Sequence, residues 1–281
     1  MVVAACGSTA RPATFDAPPD AAVADVAVPP PPGDATPPLF GDSAPVSEGG
    51  TSDPKTEVDV VITADNAYAF AWGTATSVST LKTVAPSVLA CEIFCCPIGR
   101  GPEAYVIPAE DSPPGAYIYV IAWADRATTQ GVIGQFKRRG GQAIYTGDGA
   151  WEVCATGVEY TPSSGLSPTQ QIIDDQLAIC NGGTGSPTTT SAGWVGPGGA
   201  TGGSRAVGRL VFGEDNSDPG GDFPVVCQRD ADGKEGVNAA AKWMWYSPEG
   251  ANPFRYVGPG NSTRAFLIFR LPTRALPDPP K

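Results

Sequence analysis

The chain of 281 residues contains no histidine. That absence excludes Ser-His-Asp and Cys-His catalysis, together with the common histidine-based zinc and iron sites. Basic residues are also scarce: 18 Lys and Arg stand against 29 Asp and Glu, a formal net charge of −11. Nucleic acid is therefore not an expected partner, because phosphate binding needs a basic patch. No apolar run is long enough to span a bilayer. Long helices are not expected either, since 35 Gly and 30 Pro divide the chain into short segments and turns. What chemistry remains is that of carboxylate, thiol, lysine or tyrosine. No spacing singles out a catalytic pair among them, so the expectation is a protein that is not an enzyme.

The clearest pattern runs from Thr63 to Gly73. Tyr68, Phe70 and Trp72 alternate with Ala67, Ala69 and Ala71, which puts three rings on one face of a strand and three methyls on the other. The ring face needs a second layer; the alanine face suits a close neighbour. Upstream, Val58, Val60 and Ile62 alternate with Asp59, Val61 and Thr63, so two strands meet at the polar turn Asp65-Asn66. Residues 88–94 and 104–107 read as strands, and 116–124 (AYIYVIAWA) as a central strand apolar on both faces. Residues 131–137, 142–145, 150–155, 206–212, 223–227, 242–246 and 264–270 continue the series between Gly-rich turns. Regular short strands predict a sandwich or barrel. One helix is expected, with Ser167 as N-cap, Pro168 at its first position and Gln170 at its third, a capping box. Ile173, Leu177 and Cys180 recur at helical spacing before Asn181-Gly182 closes it. Residues 181–204, mostly Gly, Thr and Ser around Trp194, read as a long loop.

Seven cysteines are present, without paired CxxC spacing. Cys6 stands apart; Cys91, Cys95, Cys96, Cys154, Cys180 and Cys227 form an even set. Three disulfides in an exported domain are the expected outcome, with adjacent Cys95 and Cys96 taking different partners. The stretch Val3-Ala4-Ala5-Cys6 resembles a bacterial lipobox, which implies a lipid on Cys6. Only five residues precede Cys6, so the basic and apolar regions of a signal peptide are expected either from a start further upstream or as a part already removed. Residues 7–55 carry repeated proline runs with few large apolar residues and are expected to form a disordered spacer. The organisation expected is a lipobox remnant (1–6), a proline-rich linker (7–55), a β-sandwich (56–272) and a short tail (273–281).

The succession ADNAYAFAWG, AYIYVIAWAD, GVIGQF and TGDGAWEV, closed by AKWMWY and RAFLIFR, resembles galactose-binding-like jelly-roll domains. The usual Asn-Gly at the end of the first strand is Trp72-Gly73 here, and the Trp-rich strand comes late. The resemblance implies a mainly-β, jelly-roll-like sandwich with one short helix and long Gly-rich loops.

Candidate sites follow from composition. Trp194 lies in a loop that offers no core, where an exposed ring stacks on a sugar face. Asp65-Asn66 is a second candidate for ligand contact. Glu214, Asp215, Asp218 and Asp222 share one loop, an oxygen-rich set of the kind calcium takes. The alternative for each is a structural turn, a solvated acidic loop or a core plug. The functional expectation is a surface-anchored lipoprotein of a Gram-negative envelope that recognises glycan or another extracellular ligand. The alternatives are an adhesive envelope protein that binds other proteins, and a carboxylate-based glycoside hydrolase.

Overall fold

The computed structural model describes residues 56–65, 67–83, 90–124, 129–159, 167–183, 193–248, 252–255 and 265–280. Every described residue belongs to one compact unit, Gly49–Lys281. The expectations for Cys6, for the linker at 7–55 and for Asn66 lie outside the described residues.

Two antiparallel sheets form a sandwich. In sheet one the order is β11 (Arg209–Asp215), β12 (Lys242–Ser247), β6 (Gly131–Arg138), β1 (Val58–Asp65) and β4 (Glu103–Ile107). The short β7 (Ala143–Tyr145) also pairs with β6. In sheet two the order is β10 (Gly199–Ala200), β9 (Val195–Gly196), β8 (Glu152–Glu159), β13 (Ala265–Pro272), β5 (Tyr117–Trp123), β2 (Ala67–Gly73) and β3 (Val78–Thr83). The chain crosses between sheets at the corner joining β1 to β2, where the sequence places the polar turn.

The alternation in β2 decides both of its faces. Tyr68, Phe70 and Trp72 join Val60, Ile62, Phe136, Ile118 and Phe269 in the core between the sheets. Ala67, Ala69 and Ala71 form a separate cluster with Ile173 and Leu177 of the helix α2 (Gln170–Gly182). A helix can approach this face of sheet two closely because the strand presents only methyls. Cys154 on β8 and Cys180 on α2 are disulfide-bonded, so the helix is fastened to the sheet it covers.

Sheet one has a cover too, made of irregular chain. Residues 216–241 and the five-residue helix α1 (Ala90–Phe94) supply Phe223, Val226, Val237 and Ile93 to the core. The Phe223 ring stacks on Trp243 at 3.9 Å between centroids. A Cβ at Gly131 would lie 2.7 Å from Trp243, so only glycine on β6 leaves room for that pair. The cover is held by the Cys96–Cys227 disulfide and by Cys227 N–H donating to the Phe94 carbonyl at 2.8 Å. Cys95 is disulfide-bonded as well, and Cys96 pairs elsewhere, as expected for the two neighbours. The side chain of Cys91 lies outside the described residues.

Three expected elements differ. Residues 90–94 are helical, not extended; a short apolar run bears either reading. Residues 223–227 carry no strand, because their backbone is spent on the cover and not on a ladder. The cap of α2 is Thr169, whose Oγ1 accepts from Ile172 N–H at 3.3 Å, two residues beyond the Ser167 expected. Gln170 does not reach back to a cap; its Nε2 donates to the Val78 carbonyl and ties the helix to β3. Gly183, at φ 58°, closes the helix in the left-handed conformation that glycine adopts freely.

Both ends of the described domain meet at the β6–β7 turn. Arg139 N–H donates to the Glu57 carbonyl, and its guanidinium pairs with Glu57 and Asp59. The buried Arg138 guanidinium donates to Ser112 and to the Thr273 carbonyl, and lies 3.5 Å from Asp278. Leu276 is buried. Residues 273–280 therefore pack onto the sandwich and are no loose tail.

Candidate functional site

The edge strands of the two sheets, β3 and β4, line one cleft of about 960 Å3. It opens beside Thr63 and Ala64, at the end of β1 far from Glu57. Tyr68 and Tyr105 form its floor. The Tyr68 hydroxyl donates to the Ile62 carbonyl at 3.3 Å and lies 3.4 Å from that of Tyr105. The Tyr105 ring stacks on Phe70 at 4.6 Å, which fixes its plane. Lys82, Glu92 and Arg100 are exposed on the rim, and Glu103 stands half-buried beside the tyrosines. The wall carrying Arg100 is a tight turn, with Gly101 N–H donating to the Pro97 carbonyl, and it follows directly from Cys96.

Burial sets the protonation of this cleft. It pushes Tyr68 well above the ordinary tyrosine value, with Tyr105 adding to the effect. Tyr105 is pushed up to about 12, again chiefly by burial. Both rings keep their protons at neutral pH and serve as hydrogen-bonding hydroxyls. Burial also raises Glu103, partly offset by the positive charge of Lys234.

The residues singled out from sequence are placed elsewhere. Trp194 is 4% exposed, so the expected open stacking ring is in fact a plug. Its Nε1 donates to Asn181 Oδ1 at 2.8 Å, and the Arg270 guanidinium lies over the ring at 3.7 Å. Arg270, with a side chain 12% exposed, also donates to Glu152 at 2.7 Å. The glycines around Trp194 let the loop fold back over sheet two, which composition alone read as the absence of a core. We expect Trp194→Ala to cost about 3 kcal/mol, the usual scale for truncating a buried tryptophan. Chemical denaturation measures it; an unchanged midpoint would mean that the ring is dispensable to the fold.

Asp65 is buried at the end of β1 and accepts from Thr129 Oγ1. The four acidic residues expected to hold calcium turn their oxygens to the chain itself. Glu214 accepts from Asp222 and Phe223 N–H, both at 2.6 Å. Asp215 accepts from Ser217 and Asp218 from Gly220 N–H. Asp222 accepts from Arg255 and Asn252, and the arginine holds its carboxyl below the ordinary value. Among the described residues, no three His, Cys, Asp or Glu side chains are grouped to hold a metal ion. These carboxylates are turn-forming acceptors, the alternative reading of the same loop.

Sequence reasoning missed the cleft because its residues come from β1, β2, β3, β4, α1 and the turn after it. The available signal was weak: Glu103 and Tyr105 alternate with Ala104 and Val106, which marks one face of β4 as inward. The chain matches no protein-family model, no curated protein and no solved structure.

Proposed function

We propose that the chain is an exported recognition protein whose sandwich binds glycan without catalysis, in the cleft between β3 and β4. The lining of that cleft carries the reading. Lys82 and Arg100 donate, Glu92 and Glu103 accept, and two tyrosine hydroxyls do both. Sugar hydroxyls also donate and accept, so a hydroxyl-rich ligand matches this mixture better than a uniformly charged one. Disulfides on both covers suit an oxidising compartment. A lipid on Cys6, the spacer at 7–55, an address on a Gram-negative envelope and kinship with galactose-binding-like domains belong to the same proposal. The opening of the cleft at the end of β1 remote from Glu57 suits a domain held by its N-terminal side.

Calorimetry of the full chain against neutral hexasaccharides (cello-, xylo-, malto- and chito-) tests the reading. Dissociation constants between micromolar and millimolar are expected for an open polar site. Lys82→Ala and Arg100→Ala should each weaken binding about tenfold, the loss of one good hydrogen bond. The ionised form of Glu103 is the better acceptor, so affinity rises with pH through its raised value and is lost below it; Glu103→Gln flattens the profile. Binding indifferent to all three changes would remove the cleft from consideration. The anchor has its own test: behind an export signal in a Gram-negative host, fatty-acid labelling must vanish in Cys6→Ser.

One observation favours a second reading. Glu103 is raised by burial, as a general acid must be, and Glu92 lines the same cleft. Hydrolysis of any hexasaccharide, abolished by Glu103→Gln, would replace recognition with turnover.

A further inference from the structure

A second groove, of about 490 Å3, lies between β6, β7 and the stretch 228–238. Four amide side chains line it, and three of them have one end tied to the backbone. Gln135 on β6 is only 8% exposed, and its Oε1 accepts from Asn238 N–H at 3.2 Å. Gln228 spends its Nε2 on the Asn216 carbonyl at 2.7 Å. Asn238 spends its Oδ1 on Ala240 N–H at 2.9 Å. The remaining ends, Gln135 Nε2, Gln228 Oε1 and Asn238 Nδ2, bond to no described residue. Gln135 is also held by burial, whereas Gln228 and Asn238 are exposed and are each tethered by the other end of a planar amide.

The backbone behind them is held as firmly. Gly236 N–H donates to the Gln228 carbonyl and Val237 N–H to that of Cys227, next to the Cys96–Cys227 bridge. On the rim, Lys137 and Glu235 lie 3.7 Å apart and offset each other's charge, while the exposed Arg229, whose Nη1 donates to the Gly233 carbonyl, adds a cation. The result is a set of two amide donors and one amide acceptor beside the Arg229 cation, each amide tethered at one end before any ligand arrives. Such preorganisation lowers the ordering cost of binding.

We infer that this groove is a second binding site, for a hydroxyl-rich ligand of the saccharide class. An apolar ligand would leave three amide ends unpaired, and a cationic one would meet Arg229. The inference is independent of the β3–β4 cleft. If both sites act, one domain holds a glycan chain at two points, and two weak contacts combine into a tighter one.

The test is calorimetric stoichiometry on the full chain with the same neutral hexasaccharides. Two sites per chain are expected for at least one of them. Gln135→Glu keeps the oxygen that Asn238 N–H needs and removes both donors; affinity at this site should fall tenfold or more. Gln142→Arg, on an exposed residue of the rim, should block the groove without touching the core. Lys82→Ala should leave this site unchanged. One site per chain, insensitive to Gln135→Glu and Gln142→Arg but lost with Lys82→Ala, overturns the inference and spares the cleft. One site lost only with the groove variants supports the inference and overturns the cleft. The absence of binding by all four sugars overturns both.

Discussion

Asn216→Ala will lower the melting temperature by about 10 °C. Asn216 is 1% exposed and sits at the centre of the cover on sheet one. Its Nδ2 donates to the carbonyls of Val226 and Val237 at 3.0 and 2.8 Å, and its Oδ1 accepts from Val226 N–H at 2.7 Å. Alanine leaves three buried backbone groups without partners, at about 1–3 kcal/mol each. A total of roughly 4 kcal/mol is reasonable after partial relaxation, and in a domain of this size each kcal/mol moves the midpoint about 2–4 °C. A melt within about 2 °C of wild type would show that the cover is held by Phe223 and the disulfide alone.

The second large effect is expected from removing the Cys96–Cys227 bridge by paired serine substitution. The bridge closes 131 residues. Loop-closure entropy over that length corresponds to about 5 kcal/mol at room temperature. The Cys154–Cys180 bridge closes only 26 residues, for which the same relation gives roughly 3.5 kcal/mol. Binding should separate the two further. Cys96 leads into the turn that carries Arg100, and Cys227 adjoins Gln228. Loss of this bridge loosens one wall of the cleft and one wall of the second groove together. Loss of the other frees α2, which lines neither. Denaturation and calorimetry on both serine pairs measure these effects. Equal stability loss with intact binding in both would contradict the assignment of roles.

Strands were legible where one side chain period governed both faces. In β2 the rings and the methyls each found the layer their size demands, one between the sheets and one beneath α2. The Cys180 bridge was legible for a related reason, since helical spacing put that residue on the buried face. The cover of sheet one was not. In the run from Glu214 to Asp222, Glu, Asp, Asn and Ser are alike in composition, and nothing local tells that Asn216 turns inward while Asp218 stays out. That choice depends on Val226 and Val237, which arrive later in the chain with unpaired backbone groups. Trp194 failed in the opposite direction. Its neighbours are glycines, but its partners are Asn181 and Arg270, brought near by the helix end and by β13. Neither groove could be assembled without the sheet order, because each sets walls from distant parts of the sequence against one another, β3 against β4 in one and β6 against the stretch 228–238 in the other.

The meeting of both domain ends at Arg138 and Arg139 has a mechanical meaning. A pull applied at Glu57 enters β1 at its first residue, while a ligand bound as proposed would resist at Thr63 and Ala64 on the same strand. The tension runs lengthwise along β1. That strand pairs with β4 over Val58–Ile62 and with β6 along its whole length. Its hydrogen bonds are therefore loaded side by side in shear and must give way together, whereas an edge strand pulled from one end would peel open rung by rung.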